Sequence, residues 1–294
     1  MTVLTNADKE NKTEALDFLI IGTMKGGTTS VYNYLKNNPA IDLCIQKEVN
    51  FFNNGINWPL GINWYAKYFA NDGRIKGDVN PNYAMYPLCQ EVPARIHQVA
   101  PSAKIIYLVR DPVDRIISHL RHYINMGKEK RSLAQIFSDL HEGKDPFGYV
   151  SNSKYYYQIS EFRKYFSDDQ ILIIKSEDFR KHRNDALKRL YRFVGVSIDA
   201  IEMEACQTEH HVSSRRRRWP AIVESLFKHD KLGRWIHFCV LNFKCLLPTK
   251  IYEFSRKMLS SDPVDVVLTK NQKKELWEML QDDHELFECY TRSR

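Results

Sequence analysis

The sequence predicts an α/β fold in which a central parallel sheet is flanked by helices and followed by a mostly helical C-terminal cap. Three short apolar runs, beginning near residues 17, 105 and 171, each end in a turn that leads directly into a helical pattern. Strands that alternate with helices form parallel sheets, and ligands bind at the carboxyl ends of such strands. A length of 294 residues suits one sizeable core. We therefore expect a single domain over residues 16–294, with residues 221–294 as its helical part.

The first unit follows a polar segment, residues 1–15, that is typical of a flexible leader. "DFLIIG" is then a short apolar run of the kind that forms a buried parallel strand. After a glycine-rich turn, "TTSVYNYLKNN" places Val31, Tyr34 and Leu35 at helical spacing and stops at an Asn-Asn-Pro sequence. The unit is a strand, a loop and a helix.

The second and third units repeat this order. Residues 105–109 form an apolar run that ends in Arg110, and a helix is predicted to begin with Asp111 as N-cap and Pro112 at its first position. Residues 171–174 form the third run. The helix after it has one apolar face, made of Leu187, Leu190, Tyr191 and Val194.

Composition narrows the class of protein. Lys and Arg number 43 against 36 Asp and Glu, a net charge of +7 that suits an anionic ligand without requiring nucleic acid. The six cysteines contain no C-x-x-C pair and the ten histidines show no metal-ligand spacing, so no zinc site is indicated. No apolar stretch suits a signal peptide or a membrane span. We expect a cytoplasmic protein with neither nucleic acid nor membrane as partner.

The first loop carries the clearest chemical signal. A phosphate-binding loop reads G-x-x-x-x-G-K-[ST], whereas here Thr28 stands where the lysine belongs and Lys25 lies inside the loop. Gly26, Gly27, Thr28 and Thr29 are placed so that their amides converge on one anion at a helix N-terminus. From the side, Lys25 would neutralise charge on a bridging oxygen as its bond breaks. The other interpretation is an ordinary tight turn.

The motif "FLIIGTMKGGTTSVYNYL" resembles the 5′-phosphosulfate loop of sulfotransferases that use 3′-phosphoadenosine 5′-phosphosulfate (PAPS). It is most similar to the heparan sulfate N- and 3-O-sulfotransferase branch and its bacterial relatives. The resemblance implies the P-loop-like sulfotransferase fold, PAPS as co-substrate, 3′-phosphoadenosine 5′-phosphate (PAP) as product and no metal. It also implies a set of residues around the 5′-phosphosulfate: Lys25, Gly26, Gly27, Thr28, Thr29 and Ser30.

Two further stretches resemble donor-binding parts of that family. "YLVRDPVDRIISHL" resembles the 3′-phosphate site, with Arg110 and Ser118 at its arginine and serine. "SSRRRRWP", residues 213–220, is similar to the loop that closes over the donor, which implies contacts from Arg215, Arg217 and Trp219. On composition alone, the same four arginines would suit a nucleic-acid or heparin patch.

Two more stretches resemble the acceptor side. "KEVNFF" matches the segment that carries a glutamate general base, which implies catalysis by Glu48 and an acceptor contact by Phe51. "GDVNPNYAMYP" keeps Asp78 and Tyr83 as acceptor-side residues, but Val79 replaces the family's lysine. Because a positive charge is missing there, we expect a small-molecule acceptor, for example a bacterial natural product, rather than an anionic glycan.

Three other functions stay open at this point. A glycan sulfotransferase would share the whole donor site. A P-loop-type nucleotide kinase would need Mg²⁺ and an acidic ligand after the second strand, where Arg110 stands. A non-catalytic protein could bind polyanions through residues 213–218. The oligomeric state and the choice between O- and N-sulfation are not predicted.

Overall fold

The computed structural model describes residues 16–53, 55, 57–197 and 263–294. Its strands, in chain order, are β1 (Phe18–Gly22), β2 (Ile41–Leu43), β3 (Ile75–Val79), β4 (Lys104–Val109) and β5 (Ile171–Lys175). The helices are α1 (Thr28–Lys36), α2 (Ile62–Ala66), α3 (Val92–Val99), α4 (Pro112–Asn125), α5 (Leu133–His141), α6 (Tyr155–Arg163), α7 (Ser176–Lys181), α8 (Arg183–Val194), α9 (Lys270–Glu278) and α10 (Gln281–Arg292).

All five strands form one parallel sheet in the order β2-β3-β1-β4-β5. β1 therefore lies in the centre, between β3 and β4. In a parallel sheet the carboxyl ends of the strands meet at one edge, and the loops that follow them line that edge. The predicted α/β fold with a central parallel sheet is confirmed, including the three strand-loop-helix units.

The two faces of the sheet bury separate hydrophobic clusters, because neighbouring residues of a strand point to opposite faces. Leu19 and Ile105 belong to the cluster that also contains Phe162 of α6 and Phe287 of α10. On the other face, Ile20 and Ile106 pack with residues of α1 and α8: Val31, Leu35, Leu187 and Leu190. The predicted apolar faces of α1 and α8 are confirmed by this burial.

The C-terminal helix α10 belongs to the cover of the sheet. Asp283 of α10 accepts hydrogen bonds from the backbone amides of Tyr156 and Tyr157, at 3.1 and 2.7 Å. These amides lie in the first turn of α6, where a helix has no intrahelical acceptors for them. A carboxylate from a distant helix therefore caps α6, and the expected helical C-terminal part is confirmed for α9 and α10.

Among the described residues, the chain divides into two compact units. The larger contains residues 16–116, 143–197 and 269–294, and the smaller contains residues 117–142 and 263–268. The smaller unit has its own polar contacts, in which Arg131 pairs with Glu129 and Asp139 and Arg121 pairs with Asp265. In the part of the chain that the structure describes, no helix is long and apolar enough to cross a bilayer.

Candidate active site

The loop between β1 and α1 lies at the carboxyl edge of the sheet. Its turn is closed by the Gly26 amide, which donates to the Thr23 carbonyl at 2.8 Å, and the Thr23 amide donates to the Leu108 carbonyl of β4 at 2.6 Å. A side chain at position 26 would place Cβ 2.8 Å from the Thr23 methyl group and 3.0 Å from each of those carbonyl oxygens. Only glycine fits there, so the loop is packed tightly against the end of β4.

The first turn of α1 is open to an anion. Its N-cap residue, Gly27, has φ 93° and no side chain, and no described side chain caps this helix. The first amides of a helix have no intrahelical partner and carry the positive end of the helix dipole. Thr28 is buried, whereas Thr29 and Ser30 are half-exposed. The geometry suits the phosphate or sulfate group that the sequence predicts at Gly26 to Ser30.

Lys25 adopts a backbone conformation that is unusual for lysine. Its φ is 75°, and only four non-glycine residues in the described ranges have positive φ: Lys25, Glu48, Asn50 and Asn71. A left-handed conformation costs a residue with a side chain about 1–2 kcal/mol. Two of the four residues are the predicted catalytic pair, and a third, Asn50, lies two positions after Glu48. Such strain is concentrated at functional sites.

Arg110 follows β4, which pairs directly with β1. Its guanidinium is 17% exposed and lies 3.3 Å from the Asp114 carboxylate, an exposed group one helical turn away. The Nε atom is buried and has no hydrogen-bond partner among the described residues. Because this donor is unsatisfied, the arginine retains bonding capacity for an anion. Ser118 is buried on α4, one turn after Asp114.

Glu48 lies in the segment that follows β2. It forms an ion pair with Lys47, and the side chains are 41% and 19% exposed, respectively. Its backbone is held by Asn50, whose side-chain amide donates to the Glu48 carbonyl at 2.8 Å. Asn50 in turn accepts a hydrogen bond at 2.9 Å from Asn82, which lies beyond β3. The backbone of Glu48 is therefore held in place, and its carboxylate, paired with Lys47, is partly exposed to solvent.

The other predicted acceptor-side residues are buried. Asp78 accepts hydrogen bonds from the hydroxyls of Tyr65 and Tyr83, at 2.7 and 2.8 Å. Burial raises the pKa of Asp78, and the two hydroxyls act in the opposite direction. Phe51 stacks on Tyr65 with ring centroids 4.4 Å apart. These contacts give Phe51, Asp78 and Tyr83 a supporting role beneath the Glu48 segment, and direct acceptor contact by them stays a prediction.

Position 79, where the resemblance leads one to expect lysine, is also buried. Val79 packs with Ile20 and Val31 on the face of the sheet opposite Tyr83.

The three remaining donor-loop predictions, Arg215, Arg217 and Trp219, lie outside the described residues.

Arg115 is the residue that sequence reasoning missed. It is 0% exposed, and its guanidinium donates to the Met24 carbonyl at 3.2 Å and to the Tyr149 carbonyl at 2.9 Å. In "RDPVDRIISHL" it resembles any charged residue on the solvent side of a helix. A partial signal is its helical spacing from Ser118 and His119, which share its face of the helix and are both buried.

The chain matches the family model described as "Sulfotransferase domain" over residues 16–261. Among curated proteins it is 29% identical to mouse bifunctional heparan sulfate N-deacetylase/N-sulfotransferase 4, over 61% of this chain and 22% of that protein. It is 30% identical to mouse heparan sulfate glucosamine 3-O-sulfotransferase 5, over 54% of this chain and 47% of that protein. The chain thus spans less than half the length of both relatives.

A sulfotransferase from Alicyclobacillus acidocaldarius has a similar structure, with a TM-score of 0.53 and 21% identity. The match covers 81% of this chain and 98% of that one. At this level of identity the likeness shows a shared fold.

Proposed function

The chain belongs to the sulfotransferase domain family, and from that premise we propose that it transfers a sulfuryl group from PAPS to a hydroxyl or amine of an acceptor. One observation carries the proposal. The two residues predicted for catalysis, Lys25 and Glu48, both adopt left-handed backbone conformations, at φ 75° and 64°, in segments that follow strands of one sheet. Random surface lysines and glutamates rarely do so.

The donor site fits PAPS on three points of chemistry. The tight packing of Gly26 against the end of β4 fixes the glycine loop, and the uncapped start of α1 supplies amides to a sulfate or phosphate. Arg110, at the end of the neighbouring strand, keeps a buried donor unsatisfied. We propose that it holds the 3′-phosphate with Ser118. Two anion-binding positions match a donor that carries two separate phosphate groups.

PAPS, when bound, supplies an activated sulfuryl group whose sulfur–oxygen bond to the 5′-phosphate breaks. In this proposal Glu48 accepts the proton of the acceptor as the acceptor oxygen or nitrogen bonds to sulfur. Lys25 stabilises the negative charge that develops on the departing phosphate oxygen. The loops that carry Lys25 and Glu48 follow β1 and β2, which are separated by β3 and lie about 10 Å apart in the sheet. No metal is needed to balance the charges.

For the acceptor, we propose a small molecule, such as a bacterial natural product. The buried Val79 in place of a lysine supports it, since this position supplies no charge to an anionic glycan. A glycan acceptor is the second candidate, favoured by the heparan sulfate enzymes among the relatives. A nucleotide kinase and a passive polyanion binder are less consistent with Lys25 inside the loop.

We further propose that residues 16–294 act as one catalytic domain in the cytoplasm. Cys44 and Cys289 are free thiols, in keeping with a reducing compartment. Subcellular fractionation with an antibody against the native protein tests the location.

Calorimetric titration with PAP in EDTA, with AMP and ATP as comparison ligands, tests the donor. We expect PAP to bind, AMP to bind far more weakly, and Arg110→Ala to abolish the preference. Arg163→Ala is the matched control, because Arg163 also pairs with an aspartate, Asp168, but lies on α6. Preference for ATP with Mg²⁺ would refute the proposal in favour of a kinase.

Conversion of PAPS to PAP, followed by chromatography, tests the reaction with a panel of phenols, alcohols, amines and heparan-type oligosaccharides. Lys25→Ala and Glu48→Gln are expected to lose turnover while retaining the fold by circular dichroism. Turnover that survives Lys25→Ala would contradict its role, and a preference for oligosaccharides would replace the small-molecule acceptor with a glycan.

A further inference from the structure

Arg115 lies near the start of α4 and connects two segments that are distant in sequence. Its Nε donates to the carbonyl oxygen of Met24, the residue before Lys25, at 3.2 Å. Its Nη1 lies 3.3 Å from the Gly148 carbonyl, 2.9 Å from the Tyr149 carbonyl and 3.1 Å from the Ser153 hydroxyl. The side chain is completely buried.

Burying a guanidinium is costly unless its donors are satisfied. Arginine presents five N–H donors in a rigid planar fork, so its acceptors must sit at defined positions around that plane. Backbone carbonyls lie at these positions only when the segment that carries them is fixed. Because the guanidinium is rigid, its hydrogen bonds also restrict the movement of the carbonyls that accept them.

The second segment is a rigid platform. The Asp145 carboxylate accepts from the backbone amides of Tyr149, Val150 and Ser151 at 2.6, 2.9 and 2.9 Å. A Cβ at Gly148 would lie 2.4 Å from the Asn152 side-chain nitrogen, so the chain is closely packed there as well. Arg115 thus connects a fixed turn to the more strained loop that carries Lys25.

The bond to Met24 acts directly on Lys25. The Met24 carbonyl and the Lys25 amide belong to one planar peptide group, which is in the trans form. In a trans peptide the carbonyl and the N–H point in opposite directions. Because Arg115 holds the Met24 carbonyl, the Lys25 N–H points away from Arg115. The orientation of this peptide group then fixes the position from which the Lys25 backbone adopts its φ of 75°.

We propose that Arg115 is a positioning residue for sulfuryl transfer: it holds the Met24 carbonyl against the 145–153 turn and so orients Lys25 toward the departing phosphate oxygen. The inference rests on the proposed function, because it assigns Lys25 its role in the reaction. Arg115 itself touches neither donor nor acceptor. Its loss misplaces Lys25 without removing the groups that bind PAP.

The first experiment compares Arg115→Met with Arg74→Met. Arg74 is a matched control because it also donates to a backbone carbonyl, that of Ile41 at 2.8 Å, but lies beside the edge strand β2. We expect Arg115→Met to lower kcat for PAPS turnover about 100-fold, the cost of misplacing a catalytic group by about 1 Å, and to raise Kd for PAP by a clearly smaller factor. Arg74→Met should change neither.

A double-mutant cycle with Lys25→Ala separates positioning from general stability. If Arg115 acts through Lys25, then Arg115→Met lowers kcat in the wild-type background but has little further effect when Lys25 is already absent. Equal losses of kcat in both backgrounds would overturn the inference. So would a kcat that stays at the wild-type level per folded molecule while only the melting temperature falls.

Two milder variants keep the test informative if Arg115→Met does not fold. Arg115→Lys retains the charge but not the planar fork, so we expect less than a tenth of wild-type kcat. Ser153→Ala removes one acceptor of the guanidinium, and a several-fold loss of kcat is expected. Wild-type kcat in both variants would contradict the positioning role.

Hydrogen exchange gives a readout that does not depend on activity. We expect Ser153→Ala and Arg115→Lys to speed exchange of the amides of residues 24–30 in the absence of ligand, and unchanged exchange there would overturn the inference. Failure of the proposed function is recognised separately, because wild-type protein would then neither bind PAP nor consume PAPS, while the exchange result still decides whether Arg115 orders the loop.

Discussion

Replacing Gly26 by alanine tests the donor loop most directly. The added methyl group would lie 2.8 Å from the Thr23 methyl and 3.0 Å from the carbonyl oxygens of Thr23 and Leu108. Ordinary contacts are 3.5–4.0 Å, and backbone oxygens cannot rotate aside. Overpacking of this kind costs about 1–3 kcal/mol. If the turn opens, the hydrogen bond from the Gly26 amide to Thr23 adds about 1 kcal/mol.

These costs predict two measurable effects of Gly26→Ala. At about 2–4 °C per kcal/mol for a domain of this size, the melting temperature should fall by roughly 5–15 °C. PAP binding should weaken by about tenfold to 100-fold, because displacing the loop removes about one charge-assisted hydrogen bond, worth about 1.5–3 kcal/mol. Differential scanning fluorimetry and calorimetric titration measure the two quantities.

Gly143→Ala is the control for a glycine replacement as such. Gly143 has φ 76° with nothing within 4 Å of an added Cβ, so alanine there costs only the conformational strain of about 1–2 kcal/mol. Its melting temperature should fall while PAP affinity stays constant. If Gly26→Ala bound PAP as tightly as wild type, the loop would not be the donor site, and the reasoning from its packing would be refuted.

Three further outcomes follow from the contacts described above. Asp283→Ala should lower the melting temperature by several degrees, because the amides that start α6 lose their cap, whereas Asp283→Asn should be milder. Burial raises the pKa of Asp78 in the folded protein, so the stability associated with this group is full below its unfolded pKa and declines as pH rises through the folded value. The melting temperature of Asp78→Asn relative to wild type should therefore rise as pH rises above the unfolded pKa of aspartate, about 4. A difference in melting temperature that shrinks with rising pH would contradict this. Asn50→Ala should lower kcat more than PAP affinity, since it frees the backbone of Glu48 and leaves the donor loop intact.

Much of the fold could be predicted because its signals are local. The runs that became β1, β4 and β5 are continuously apolar, and an amphipathic helix follows each of them within a few residues. β3 was missed because "IKGDV" carries Lys76, Gly77 and Asp78 within five residues. Gly77 is there because a Cβ would lie 2.0 Å from the Phe18 ring. The need for glycine at this position comes from a residue 59 positions away, so the sequence around Gly77 gives no sign of it.

The candidate site divides in the same way. The donor side is built from short continuous segments, so the glycine loop and Arg110 could be recognised from their own sequence. The acceptor side depends on contacts between separate segments, such as the bond from Asn82 to Asn50. Burial of Asp78 beneath two tyrosine hydroxyls depends on the same long-range packing. Arg115 was overlooked for this reason, since its acceptors lie 33 to 91 positions away.

The place of α10 has a consequence for how the chain folds as it is synthesised. Phe287 and Tyr290 belong to the same buried cluster as Leu19 of β1, the first strand. During translation from the N-terminus, that face of the sheet therefore stays partly uncovered until α10 has left the ribosome. The apolar residues of this face are exposed on the nascent chain until then, which makes this stage of synthesis the one most prone to aggregation and most dependent on a chaperone.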